Sequence, residues 1–282
     1  MGLSGFPMVD VFQDAVEHKK VADVIARHLV GREDIRDKAV NDLELGEVRH
    51  ILDLGCGFGF FSKVLAERVH PNAQITGIDL YPGYEKCFLQ ISRTSGRKCR
   101  FICGDGSVIR KLKDASFDLI VCSYAMYFFP ELTGEISRIL TDKGMFVTIT
   151  HSRPHMEEFT LYLKNILSEM EIQVQEVIPH DALVDRFSDL NGKDIMEPFF
   201  QEITLKKCDN MLRFGIDDFN DFLQYFNFKY RFFVPESIDP QKKLYDLLVG
   251  KIRKDLERGM ILNISKNDVI FTGFRPRKSN VL

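Results

Sequence analysis

The chain has no apolar run of about 18 residues, so no membrane-spanning helix is expected. Its first residues, MGLSGFPMVDVF, lack the basic segment and apolar core of a secretory signal. Phe6 stands where a myristoylation pattern needs Ser or Thr, so no lipid anchor is expected there. None of the six cysteines (Cys56, Cys87, Cys99, Cys103, Cys122, Cys208) forms a C-x-x-C pair. Cys99 and Cys103 flank or lie within a strand, without paired histidines, so the expectation is no metal site. The thiols read as small buried hydrophobes in a reducing, cytoplasmic setting. The net charge is −3, and basic residues cluster only at the tail, Arg275, Arg277 and Lys278. This argues against a non-specific nucleic-acid surface, although a local patch stays open. Internal repeats and low-complexity segments are absent as well.

What remains is an ordinary globular composition, 45% hydrophobic and 28% charged. At 282 residues the chain can form one large α/β domain with insertions, or two small domains. One stretch organises the rest: RHILDLGCGFGFF, residues 49–61. A short apolar run, residues 51–54, carries one acid, Asp53. It meets Gly55, Gly57 and Gly59, and then a helical segment begins near Phe61. Strand, glycine turn and helix form a nucleotide-type loop, in which glycines let backbone pass close to a ligand. The spacing is G-x-G-x-G, whereas the dinucleotide fingerprint is G-x-G-x-x-G. Phe60 and Phe61 stand where the third dinucleotide glycine would fall.

D-x-G-x-G-x-G resembles motif I of the class I S-adenosylmethionine-dependent methyltransferases. The following segments are similar in type, order and spacing. Residues 74–79 read as a second strand ending on Asp79, 20 residues after Gly59. A carboxylate there can accept from both hydroxyls of a ribose. Residues 99–103 read as a third strand, followed by Gly104-Asp105-Gly106. The family commonly places there an acid for the adenine amino group and a backbone N–H for the ring. Residues 116–122 read as strand four and lead into Ser123-Tyr124-Ala125-Met126-Tyr127. The Asn/Asp-Pro-Pro-Tyr mark of base-amine methylation is missing from that loop. Residues 141–144 read as a turn before strand five, residues 145–150. There the family's L-x-P-G-G step is present with its proline and one glycine replaced. The resemblance therefore implies S-adenosyl-L-methionine as cofactor and S-adenosyl-L-homocysteine as product. It places cofactor contacts at Asp53, Gly55, Cys56, Gly57, Gly59, Asp79, Leu80, Asp105, Gly106 and Ser123.

The remaining segments are read from pattern. Residues 10–30 form an amphipathic helix, and 31–47 a linker or short helix. Helices follow at 61–69, 81–95, 132–140 and 156–170. Strands six and seven fall at 199–206 and 267–274. The separation of about 60 residues is too long for a hairpin loop, so 208–260 is an insertion with its own helices, one capped by Asp217. A further insertion covers 181–198. The fold expected is α/β: a Rossmann-like, seven-stranded, mostly parallel sheet with helices on both faces and strand seven antiparallel, plus the helical, aromatic insertion. The expected division is a helical cap (1–48), a cofactor core (49–151), a helix with strand six (152–207), a substrate or lid region (208–260) and a final strand with tail (261–282). Phe214, Phe219, Phe222, Tyr225, Phe226 and Phe228 make the insertion densely aromatic, as core or as a pocket wall.

Methyl transfer from a sulfonium is an in-line displacement and asks mainly for alignment. An oxygen nucleophile gains from a base. Tyr124, Tyr127, His151 and His155 are the candidates, with His151 best placed, directly after strand five. A small-molecule acceptor is the first reading. A protein or RNA acceptor and a catalytically silent binding protein stay open, and the glycine spacing argues against a nicotinamide dehydrogenase.

Overall fold

The structure is a computed structural model that describes residues 7–31, 33–172, 178–234 and 241–277. Its centre is a sheet in the order β3-β2-β1-β4-β5-β8-β6. The strands are β1 (His50–Leu54), β2 (Gln74–Asp79), β3 (Lys98–Cys103), β4 (Phe117–Ser123), β5 (Leu140–His155), β6 (Phe200–Cys208), β7 (Met211–Phe214) and β8 (Leu262–Pro276). β1 to β5 run parallel, and β8 lies antiparallel between β5 and β6. The seven-stranded plan with an antiparallel last strand is therefore present. An unforeseen eighth strand, β7, pairs with the start of β8.

The helices follow from local chemistry. α1 (Ala15–His28) starts later than the hydrophobic pattern implied, because the Asp14 carboxylate accepts from Val16 N and Glu17 N. Residues 7–12 form a 3-10 turn instead, whose Phe12 carbonyl accepts from the Tyr84 hydroxyl at 2.7 Å. α2 is Ile35–Val40, the short helix foreseen before β1. α3 (Phe60–Ala66), α4 (Glu85–Ser95) and α5 (Thr133–Ile139) are the crossovers of the parallel strands. The turn expected at residues 141–144 is taken into β5, where the β4 register shifts between Leu140 and Met145.

Past β5 come α6 (Glu157–Glu169), α7 (Pro179–Val184) and α8 (Gly192–Met196). The insertion supplies β7, α9 (Phe219–Phe233) and α10 (Gln241–Glu257). The residue before α9 is Asp218 rather than Asp217; its carboxylate accepts from Gly215 N at 2.8 Å, which closes the 3-10 turn Ile216–Asp218 and gives α9 itself no side-chain cap. One apolar cluster packs Phe88, Phe61 and Ile75 on one side of the sheet. A larger one carries the other face and continues into the insertion through Phe159, Phe214, Phe222, Phe226 and Phe233. α9 also grips α1: Asp221 meets Arg27 at 2.9 Å and His28 at 2.8 Å. These two helices therefore stand together over the carboxyl ends of the parallel strands.

Candidate active site

Those strand ends open into a cavity of about 880 Å³. The glycine loop forms one wall. Gly55, Gly57 and Gly59 have φ of +72, +48 and +76°, the left-handed region that a side chain avoids. A Cβ at Gly55 would lie 2.6 Å from Ala125 Cβ, and one at Gly59 2.5 Å from Ile91 Cδ1. At Gly57 a Cβ would meet no protein atom within 4 Å, so the loop presents bare backbone to open cavity there.

Asp79, at the end of β2, fixes that loop. Its Oδ2 accepts from Gly57 N at 2.8 Å and its Oδ1 from Tyr81 N at 3.1 Å. Burial raises its pKa, and the backbone N–H groups oppose that shift. Asp79 lines the cavity with Leu80, Gly104, Asp105 and Gly106. Asp105 caps the turn after β3 by accepting from Ser107 N at 2.8 Å. Asp53 is 1% exposed and accepts from Ser62 Oγ at 2.6 Å, which ties β1 to α3. Burial pushes its pKa up to about 6. Cys56 turns its buried thiol inward against Gly77, so its backbone is what it can offer a ligand. Ser123 closes β4 at the cavity edge.

The opposite wall holds the candidate bases. His151 Nδ1 lies 3.1 Å from Asp268 Oδ1, and the Tyr124 hydroxyl donates to Asp268 Oδ2 at 2.8 Å. Tyr124 sits at φ +57°, a strained conformation beside the cavity. The Tyr127 ring stacks on His151 at 5.6 Å, and the His155 ring at 3.7 Å. His155 Nδ1 is 3.1 Å from His180 Nε2, which in turn leads to Asp181. Desolvation lowers the His151 pKa to about 4 against the opposing pull of Asp268, so the imidazole is neutral at pH 7. With Asp268 fixing Nδ1–H, Nε2 is the nitrogen that can accept a proton.

Every cavity residue named from the sequence except Gly59 lines this space. Gly59 instead shapes the turn. Asp268, Lys266, Lys229 and His18 also line it and were missed. Asp268 faces His151 as its direct cross-strand partner between β5 and β8. Only strand register reveals that pair, since the residues are 117 apart. The aromatic insertion splits: Phe214, Phe222 and Phe226 are core, whereas Tyr225, Phe228 and Lys229 face the cavity. In the basic tail, Arg277 donates to the Phe200 carbonyl, at the far end of β8 from the cavity. Lys278 lies outside the described residues. His151, His155 and Asp268 have ligand atoms within 4.8 Å of one another, a grouping that the cysteine-based reading did not consider.

A family model described as a methyltransferase domain matches residues 47–214, more than half of the chain. The demethylmenaquinone methyltransferase of Lactococcus lactis is 28% identical over 125 residues, 42% of this chain and 49% of that protein. The match thus spans about half the length of that relative. Among solved structures, a Bacillus halodurans protein provisionally described as a methyltransferase superposes with TM-score 0.53 at 16% identity, over 86% of this chain and 99% of that one. Haemonchus contortus phosphoethanolamine N-methyltransferase 2, solved with phosphomonomethylethanolamine and S-adenosylhomocysteine, gives 0.50 at 13% identity, over 94% and 60%. At these identities the structural likeness speaks for the fold alone. With that sheet order, and with the family match running from the residues before β1 to the end of β7, the chain belongs to the methyltransferase domain family.

Proposed function

We propose that the protein is an S-adenosyl-L-methionine-dependent methyltransferase acting on a small-molecule acceptor. The observation that carries this reading is the single cavity shared by the glycine loop, Asp79 and the His151–Asp268 pair. Bare backbone at Gly57 leaves room that a side chain would fill, and Asp79 offers two carboxylate oxygens side by side. When bound, the cofactor supplies a sulfonium-activated methyl carbon, whose carbon–sulfur bond breaks as the acceptor's lone pair forms the new bond.

The protein's share is binding, alignment and proton handling. Asp79 receives the ribose hydroxyls. Asp105 and the backbone of Gly106 hold the adenine edge, and Gly55, Cys56, Gly57, Leu80 and Ser123 contribute backbone and wall. Asp53 and Gly59 act through the loop's shape. His151 takes the acceptor's proton at Nε2, and Asp268 offsets the imidazolium charge while Tyr124 holds the carboxylate in place. Residues 208–260 form the acceptor-side wall, with α9 as its inner face. A cavity roofed by α1 and α9 suits a small acceptor better than a polymer. No helix among the described residues is long and apolar enough to cross a membrane. Six free thiols fit a reducing compartment, and we place the enzyme in the cytoplasm.

The test is calorimetric titration with S-adenosylmethionine, S-adenosylhomocysteine and NAD, followed by tracing tritiated methyl into small-molecule, protein and RNA fractions of an extract. Tight binding of both adenosyl ligands with label in the small-molecule fraction is expected. Binding of NAD alone, or label in polymer only, would sink the proposal.

A further inference from the structure

The inner end of the cavity carries more positive charge than a neutral acceptor needs. Lys229 of α9 lines it, with its Nζ 4.9 Å from the Phe232 ring centre and 5.9 Å from that of Phe228. Among the described residues no carboxylate lies within ion-pair distance of that amine. Lys266 of β8 lines the same end, 4.8 Å from the Tyr124 ring centre and 3.5 Å from Asp268 Oδ2. Asp268 is the carboxylate that acts on Lys229 and lies 3.5 Å from Lys266 Nζ, and His151 and Tyr124 already occupy it. His18 of α1, His155 of β5 and His180 of α7 are the other ionisable groups within electrostatic reach of Lys229. His155 is 7% exposed, and its Nε2 has no hydrogen-bond partner among the described residues.

A half-buried lysine amine that meets aromatic rings but no carboxylate of its own is best answered by a ligand that carries a negative charge. Two ligand classes compete. The grouping of His151, His155 and Asp268 has the donor chemistry for a divalent cation. Charge decides against it, because Lys266 and a Lys229 amine that protonates near neutral pH already face one carboxylate, and a dication would add to that positive excess. A monoanion would cancel it. Burial and Lys266 lower the Lys229 pKa to about 7, and Asp268 opposes this, so an incoming anion would draw the amine into its charged form.

We propose that this end of the cavity selects a methyl acceptor bearing an anionic group, of carboxylate type, on an apolar body, with Lys229 and Lys266 as its partners. Tyr225, Phe228 and Tyr127 supply the apolar surroundings. This rests on the cavity being a cofactor-and-acceptor site.

The test uses the intact chain saturated with S-adenosylhomocysteine, titrated in a calorimeter with 2-naphthoate, its neutral isostere 2-naphthamide and the cation 2-naphthylmethylammonium. Naphthoate is expected to bind at least tenfold tighter than the amide, and the cation weakest. Lys229→Met should reduce the preference to within twofold and Lys229→Arg should retain it, both with unchanged affinity for S-adenosylhomocysteine. Equal binding of acid and amide, preference for the cation, or no naphthoate binding would overturn the inference. So would micromolar binding of Zn²⁺ or Mg²⁺ that is lost in His155→Ala. Failure of S-adenosylhomocysteine itself to bind would instead count against the proposed function, and the three naphthyl probes on the free protein would still decide the question of charge.

Discussion

Replacing Asp79 by alanine separates a ligand-holding carboxylate from a merely structural one. Its Oδ2 accepts from Gly57 N at 2.8 Å and its Oδ1 from Tyr81 N at 3.1 Å, and the carboxylate lines the cavity. A hydrogen bond to a charged group contributes about 1.5–3 kcal/mol net, and a carboxylate already shared with backbone N–H donors places this pair at the lower end. Two ribose hydroxyls then amount to about 3 kcal/mol, or roughly a hundredfold in Kd. The freed N–H groups of Gly57 and Tyr81 border the cavity, where water can reach them. Their loss should cost about 1–2 kcal/mol of stability, a fall in Tm of a few degrees. The assay is calorimetric titration with S-adenosylhomocysteine alongside a thermal melt. A folded Asp79→Ala protein that binds within threefold of wild type would refute the assignment. A collapse of Tm with no folded protein would show that the carboxylate is chiefly structural.

Three more outcomes follow from the same geometry. Gly55→Ala should lose about 2–4 kcal/mol of stability, from its left-handed φ and the clash with Ala125, whereas Gly57→Ala should lose only about 1 kcal/mol yet weaken S-adenosylhomocysteine; chemical denaturation and titration separate the two. Asp53 has a folded pKa of about 6 against a reference of 3.8, so the folded state holds its proton more tightly and stability falls as pH rises between them. Relative to Asp53→Asn, wild type should lose about 2 kcal/mol from pH 4 to 6.5 and then level off, as read from paired melts; a flat difference would refute the assignment. Phe222→Ala, at a fully buried ring packed on Phe159, Phe214 and Phe226, should cost about 3–5 kcal/mol by denaturant titration, and a loss under 1 kcal/mol would mean the insertion is not part of the core.

The sequence alone determined the glycine-loop half of the cavity. Local signals sufficed there: an apolar run, a glycine spacing that only left-handed backbone satisfies, and acids at the ends of β2 and β3. Parallel strands joined by helices bring those ends together, so reading each strand in order already gathers the loop with Asp79 and Asp105. Boundaries that depended on caps were less legible, as at Asp14, whose carboxylate chose the first residue of α1. The wall around His151 and Lys229 was decided by tertiary structure. Asp268 becomes the partner of His151 only through the antiparallel register of β8 on β5. Lys229 faces the cavity because α9, an insertion between β6 and β8, lies against α1 and presents one side of an otherwise core-packing aromatic helix. Helical periodicity shows that such a helix has faces, but the direction each face points is set by what packs against it.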